Sequence, residues 1–407
     1  MTDKRQNMPP TDTTISNAGR PKSGKPGYAG RDKEMVNTPV YRASTILYDT
    51  VADLKFATKH KNRNFYYGRR GTPTQWSLRD AMVELDGGHD ALLHPSGLAA
   101  VTTAILAFVR TGDHVLMADT CYEPTRIFCG IALKKIGVET TFYDPLITGP
   151  ELEALMQDNT SVVFVETPGS LTFEVSDLPA IAAVAHKHGA KVLVDNTWGT
   201  PMLFRPLEHG ADVVIHAATK YLVGHSDAML GITVCNEASW DVFQRQSFVM
   251  GQCAAPDDVY LASRGLRTLA VRMRQHEVSA LKLANWLQTR PEVHEVRHPA
   301  LETCPGHDIW KRDFDGSSGL FSIILTGKYA GNDDAVAALI DGLALFGIGY
   351  SWGGFESLAL PADLTGERTA VKWTAPGPLI RFHIGLEDVD DLQADLEAGF
   401  ERLNNTP

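Results

Sequence analysis

The sequence predicts an α/β fold, with a mostly parallel sheet in a large domain and a smaller α+β C-terminal domain. Two observations carry this. From about residue 76 to 217, short apolar or β-branched runs alternate with helical patterns, as in chains built from βαβ units with helices on both faces of a sheet. In addition, Glu166, Asp195 and Lys220 each stand at or just past the C-terminal end of an apolar run. Open α/β sheets bind their ligands at that edge.

The elements follow in order. Residues 1 to about 37 are polar and contain Pro9, Pro10, Pro21 and Pro26, which reads as an extended arm. Residues 77–85 have helical periodicity and stop at Gly87-Gly88, and residues 98–109 form an apolar helix. Residues 114–118 read as a strand. Residues 127–136 are helical, and Gly137 supplies a left-handed stop. Strands follow at 138–143 and 161–166, the second ended by Thr167-Pro168-Gly169. Asp177 caps a helix with Pro179 in its first turn, which runs to about His188. Residues 191–195 and 212–217 are strands. A long helical stretch, 256–289, leads to the second domain and ends at Pro291. A strand at 320–325, a helix at 333–343, a loop at 347–357 and a strand at 379–383 come next. The last helix opens on Asp388, Asp390 and Asp391, whose charges suit its N-terminal dipole. The expected divisions are residues 1–70, 71–264 and 265–407.

Composition excludes several classes. A net charge of −11 opposes a nucleic-acid surface. No apolar stretch reaches membrane-spanning length, and the N-terminus is polar, without a signal-peptide core. The five cysteines form no C-x-x-C pair, as expected of buried reduced thiols in a cytoplasmic protein. His186 and His188 lack an H-E-x-x-H partner, so they read as a solvated helix face and no metal is expected. A nicotinamide oxidoreductase would need a G-x-G-x-x-G turn after an early strand, and none is present.

The chemistry centres on Lys220. A strand end delivers it among small residues, between Thr219 and a Gly-His-Ser turn. Desolvation there favours the neutral amine that forms an imine. Asp195, alone, reads equally as a helix cap. Paired with Lys220, it suits a pyridinium cofactor whose ring nitrogen it keeps protonated. Gly97 and Leu98 open a helix after a small-residue turn, either a plain helix start or an anion site. Tyr67 and Arg69 lie in a Gly-Arg-Arg-Gly loop suited to phosphate or simply solvated. Tyr122 follows a strand and can offer an aromatic face. Arg381, on an alternating strand, suits a carboxylate, structural or substrate-borne. Tyr350, Ser351 and Trp352 form a glycine-bearing aromatic loop that lines a pocket or turns the chain.

Together these motifs resemble the Cys/Met-metabolism family of pyridoxal-phosphate enzymes, above all through the run Asp212 to Ser226. Further matching stretches are Tyr67-Gly-Arg-Arg-Gly-Thr72, Ser263-Arg-Gly-Leu-Arg-Thr268 and Tyr350-Ser-Trp-Gly-Gly354. The similarity runs from about residue 17 almost to the C-terminus and is greatest toward the family's bacterial β-lyases. It implies the pyridoxal-phosphate transferase fold of type I, with pyridoxal 5′-phosphate bound by residues 71–264. Lys220 would hold the cofactor and shuttle protons, Asp195 would pair with its ring nitrogen, and Tyr122 would stack on the ring and help with proton transfer. Gly97, Leu98 and Thr219 would hold the phosphate. Tyr67 and Arg69 would complete that site from a neighbouring subunit, within a homotetramer of catalytic dimers. Arg381, beside Ser351, Trp352 and Tyr350, would bind an amino-acid thioether. The implied reaction is α,β-elimination, with γ-cleavage the alternative. Trp352 and Ser170 stand where γ-acting members usually carry Leu and Asn. Phe248 departs from the tyrosine of the resembling enzymes.

Overall fold

The computed structural model describes residues 10–19 and 36–406. Seven strands form the larger sheet: β1 (Asp90–His94), β2 (His114–Ala118), β3 (Glu139–Tyr143), β4 (Thr160–Glu166), β5 (Lys191–Asp195), β6 (Val213–Ala217) and β7 (Gly231–Cys235). Their order is β1-β7-β6-β5-β4-β2-β3. From β6 to β3 every pairing is parallel, and β7 runs against both its neighbours. The mostly parallel sheet expected from the sequence is thus present, with an antiparallel edge. β1 and β7 were not expected from the sequence: each is a five-residue run buried throughout, with Asp90 and His94 in β1 and Gly231 and Thr233 in β7 interrupting the apolar residues. Such runs carry no alternation to read.

Both faces of this sheet are covered. Val192 and Val194 of β5 join Val163, Val165 and Val214 in an apolar layer that includes residues of helices Pro73–Asp86 and Leu178–Lys187. Leu193 points the other way and joins Val162, Phe164, Val213 and Ile215, with residues of helices Gly97–Phe108 and Glu237–Val249. A strand buried on both faces needs consecutive apolar residues, which is why β4 to β6 read as continuous runs.

A second, antiparallel sheet holds β8 (Val293–Arg297), β9 (Leu320–Leu325), β10 (Leu358–Ala362) and β11 (Leu379–His383), in the order β10-β11-β9-β8. Ile380 and Phe382 of β11 join Phe321 and Ile323 of β9 in a separate core, together with residues of helices Leu269–Leu287, Asp333–Asp341 and Val389–Asn405. Side chains alternate along a strand, so Arg381 and His383 leave this core on the opposite face. That alternation carries β11 into the functional site.

Several expectations change. The stretch 256–289 is two helices, Pro256–Leu266 and Leu269–Leu287. Buried Arg272 donates to the carbonyls of Gly265 and Tyr221, both at 2.8 Å, and to Thr268 Oγ1 at 3.1 Å. That tertiary anchor sits at the break, and no periodicity displays it. The helix expected at 77–85 begins at Pro73, because Gln75 Oε1 accepts from the Thr72 backbone at 2.9 Å and draws the chain into a turn earlier. In the expected arm, residues 1–9 and 20–35 lie outside the described residues. Its described part is not extended: Asp12–Asn17 is helical, capped by Thr11, with Ile15 buried. Arg267 fastens this turn through the carbonyls of Ser16 and Ala18, at 3.1 and 2.6 Å.

The cysteines are unpaired; four are buried and Cys253 is exposed, contrary to the expectation for that one. His186 and His188 engage separate carboxylates, Asp212 at 3.0 Å and Glu153 at 2.6 Å. Among the described residues, no helix is long and apolar enough to cross a membrane.

Candidate active site

A cavity of about 450 Å³ opens at the C-terminal ends of β4, β5 and β6 and is closed by the loop 347–357. Parallel register sets Glu166 beside Asp195, and Asp195 beside Ile215. The strand-end placement read from sequence therefore becomes lateral proximity. Asp195 Oδ1 accepts from Thr197 N at 3.0 Å and Thr197 Oγ1 at 2.5 Å. Thr197 Oγ1 in turn accepts from Ala217 N–H at 2.9 Å, tying β5 to β6. Burial raises the Asp195 carboxyl above its ordinary range, with the Thr197 bonds opposing. Burial and the Asp195 charge push Glu166 much further up. Two adjacent buried carboxylates do not both ionise. Asp195, the better hydrogen-bonded, keeps the charge, and Glu166 holds the proton. Glu166 Oε2 also accepts the Tyr122 N–H at 2.6 Å and so fixes the start of that residue's helix.

Lys220 follows β6 on a turn closed by its own N–H to Ala217 O at 3.0 Å. Its Nζ donates to Ser351 Oγ at 2.6 Å and lies 5.2 Å from the Trp352 ring centroid. Burial, and then the Arg381 charge, lower its pKa to about 8, while Asp195 opposes. One prediction follows from the sign of this shift. The reactive neutral amine grows as pH rises through 8, so capture of pyridoxal phosphate by cofactor-free protein should speed up about tenfold from pH 7 to 9 and level off. A lysine at its ordinary value would rise roughly a hundredfold over that range without a plateau. Stopped-flow absorbance distinguishes the two.

The loop 347–357 is held against Lys220 by its backbone. Gly353 has φ +83°, and a Cβ there would stand 2.7 Å from Tyr221 N and 2.9 Å from Lys220 C. Only glycine allows both the left-handed conformation and the close approach. Arg381 Nη2 donates to Ser351 O at 2.9 Å. Arg381 lines the cavity, and its Nε is buried without a partner, an unsatisfied donor of the kind expected in a carboxylate receptor. Burial lowers this guanidinium to about 10. It remains charged at neutral pH.

Gly97 and Leu98 begin a twelve-residue helix whose first intrahelical backbone bond is made by Ala100. Their amides are the free donors of a helix N-terminus. A Cβ on Gly97 would come within 2.5 Å of Ala217 Cβ, so the turn lies directly against the end of β6. Thr219 lines the same wall, its Oγ1 accepting from Leu230 N at 3.0 Å. Tyr122 and Tyr350 line the mouth and are 47% and 88% exposed.

Ten of the expected site residues thus meet in one cavity, and two do not. Tyr67 is exposed outside it. Arg69 lies outside the lining and donates to Phe248 O at 3.2 Å. Phe248 also stays out of the cavity, with the Arg70 guanidinium 3.6 Å from its ring centroid. Sequence reasoning missed Thr197 and His383. The spacing Asp195-Asn-Thr197 was a usable turn signal. His383, two residues after Arg381 on an alternating strand, had to share its face.

Comparison with known proteins agrees with this geometry. Residues 25–401 match the family model described as Cys/Met metabolism PLP-dependent enzyme. A cystathionine beta-lyase of Escherichia coli (strain K12) is 49% identical over 398 residues, covering 96% of this chain and 98% of that protein. A cystathionine beta-lyase of Haemophilus influenzae is 48% identical, covering 92% of this chain and 97% of that protein. The crystal structure of metB from Corynebacterium glutamicum superposes with a TM-score of 0.84 at 32% identity, over 98% of this chain and 99% of that one. With the expected lysine, carboxylate and arginine gathered in one cavity, and this match over nearly its whole length, the chain belongs to the Cys/Met-metabolism family of pyridoxal-phosphate-dependent enzymes.

Proposed function

We propose that this enzyme cleaves L-cystathionine by α,β-elimination, releasing homocysteine, pyruvate and ammonia. One observation carries the reading: a desolvated Lys220, buried Asp195 and an Arg381 with an unused donor share one cavity. The names of the two bacterial relatives support the choice of substrate.

The residues fit pyridoxal 5′-phosphate. The amides of Gly97 and Leu98, with the Thr219 hydroxyl, suit its phosphate, Asp195 suits its ring nitrogen, and Tyr122 suits its ring face. Lys220 suits its aldehyde. When bound, the cofactor supplies an electron sink for a carbanion next to the substrate amine. Arg381 receives the substrate α-carboxylate on its unused Nε side, with the bulky Tyr350 and Trp352 shaping the space around Ser351. Lys220, whose pKa burial lowers to about 8, supplies the neutral amine that removes the Cα proton. The Cβ–S bond then breaks, and sulfur leaves with the bonding electrons, taking up a proton to become the homocysteine thiol. Water converts the three-carbon remainder to pyruvate and ammonia.

Product analysis tests the choice of bond. Cystathionine should give pyruvate in step with free thiol. If 2-oxobutyrate and cysteine accumulate instead, the enzyme is a γ-lyase, and Trp352 does not set the outcome.

The division at residues 70 and 264 belongs to the same proposal, with residues 1–70 reaching a neighbouring subunit. Tyr67 and Arg69 are then phosphate ligands of the partner's cavity, which accords with their lying outside their own. Shared sites call for a catalytic dimer, and the family resemblance extends the proposal to a homotetramer of two such dimers. The proposed location is the cytoplasm, in keeping with five unpaired cysteines. Recovery of the native protein from a periplasmic fraction would overturn that part.

A further inference from the structure

The loop that closes the cavity touches Lys220 through the side chains of Ser351 and Trp352. Both ends of that short segment meet β11. At one end Arg381 donates to Ser351 O at 2.9 Å. At the other, His383 Nε2 lies 3.1 Å from Gly353 N and 3.2 Å from Gly354 O. Arg381 and His383 are two residues apart on one strand and project from the same face. Between these two contacts the segment turns, with positive φ at both Ser351 (+78°) and Gly353 (+83°).

We propose that His383 is a positioning residue that clamps the Gly353-Gly354 peptide and thereby holds Ser351 and Trp352 on Lys220. The inference rests on the reading of Lys220 as the cofactor lysine and adds to it a residue that touches neither cofactor nor substrate. Three observations support it. His383 is fully buried, walled by Tyr221, His276 and, on the loop side, the glycine turn, with ring centroids 5.7 Å and 5.3 Å from the first two. Gly353 sits against the Lys220 backbone, and a Cβ on Gly354 would stand 2.0 Å from Ser226 Oγ. The turn therefore has no room for a side chain of its own, and its polar backbone must be satisfied from outside. Burial and the neighbouring His276 hold the imidazole well below its ordinary pKa. It is neutral, and one nitrogen serves either by accepting from Gly353 N–H or by donating to Gly354 O. Its Nδ1 is buried without a partner, so the ring is held in place by this single polar contact and by packing.

The test compares His383→Leu with His383→Gln in the pyridoxal-phosphate-loaded enzyme. A Gln carboxamide can supply either an acceptor or a donor near the Nε2 position, and Leu can supply neither. The Leu variant is expected to bind cofactor but to lose about ten- to a hundredfold in kcat/KM for cystathionine, mostly in kcat. The pH midpoint of its visible cofactor band should also shift, because Lys220 loses its Ser351 partner. The Gln variant should recover to within about threefold of the parent and restore the midpoint. If Leu should prevent folding, the unbranched His383→Met variant takes its place in the same measurements. Equal losses in the Gln and Leu (or Met) variants overturn the clamp, as does an apolar variant with parental kcat and midpoint. The absorbance midpoint needs no particular substrate. If the parent forms no pyruvate, the proposed reaction fails, while the clamp is still decided by the midpoint.

Discussion

Lys220→Ala should abolish turnover, by roughly a thousandfold or more, and remove the visible absorbance of the lysine-bound cofactor. The size follows from two losses at one atom. Nζ is the group that holds the cofactor aldehyde, and it is also the base poised near pH 8 to take the Cα proton. Among the described residues, no other amine lines the cavity to replace it. Retention of both activity and absorbance would end the assignment. The same variant tests whether sites are shared. Subunits carrying Lys220→Ala are mixed with subunits carrying Tyr67→Ala and allowed to exchange. In a shared-site dimer, one cavity of each hybrid combines an intact Lys220 with an intact Tyr67. About a quarter of parental activity should then return. No recovery in a sample proven to contain hybrids would mean that Tyr67 serves no neighbouring cavity.

Asp195→Asn should lower kcat about a hundred- to a thousandfold with little change in KM. The amide fills the same space and can still accept through oxygen from Thr197, so the end of β5 should keep its shape. What disappears is the negative charge that keeps a pyridine nitrogen protonated and lets the ring draw electrons from the breaking Cα–H bond. Glu166 cannot take over, because its carboxyl is the one that burial keeps protonated and it is spent on the Tyr122 N–H. The check is steady-state kinetics beside the absorbance of the loaded protein. A variant with unchanged kcat would remove Asp195 from the chemistry and leave it as a turn former.

Much of the sheet was legible because it is local. β2, β4, β5 and β6 are short, mostly apolar runs and β3 is a β-branched and aromatic one, and each is found within one or two residues of its expected position. The boundaries move where a cap or tertiary anchor intervenes, as at Pro73 and at the Gly265–Thr268 break. The candidate site was legible in part for the same reason. Lys220, Asp195, Gly97 and Leu98 all stand where an element begins or ends, and those points leave signals in the sequence. Ser351 shows the opposite case. It is 131 residues from Lys220 in the chain and 2.6 Å from it in space. Its loop carries no period; the family resemblance placed Ser351 beside Arg381, and its contact with Lys220 appears only in the folded chain.

The sequence by itself determined the alternation of strands and helices, the strand ends that deliver Asp195 and Lys220, and the presence of Arg381 on an alternating strand. Backbone geometry enforces these over a few residues, through the two-residue period of a strand and the capping of a helix. The tertiary structure alone decided that Glu166 shares a buried edge with Asp195 and so keeps its proton. It also decided that Lys220 is dry enough to titrate near 8, and that β11 presents Arg381 and His383 to the loop over that lysine. Charge, desolvation and hydrogen bonding act through distance in space, and only the folded chain sets those distances.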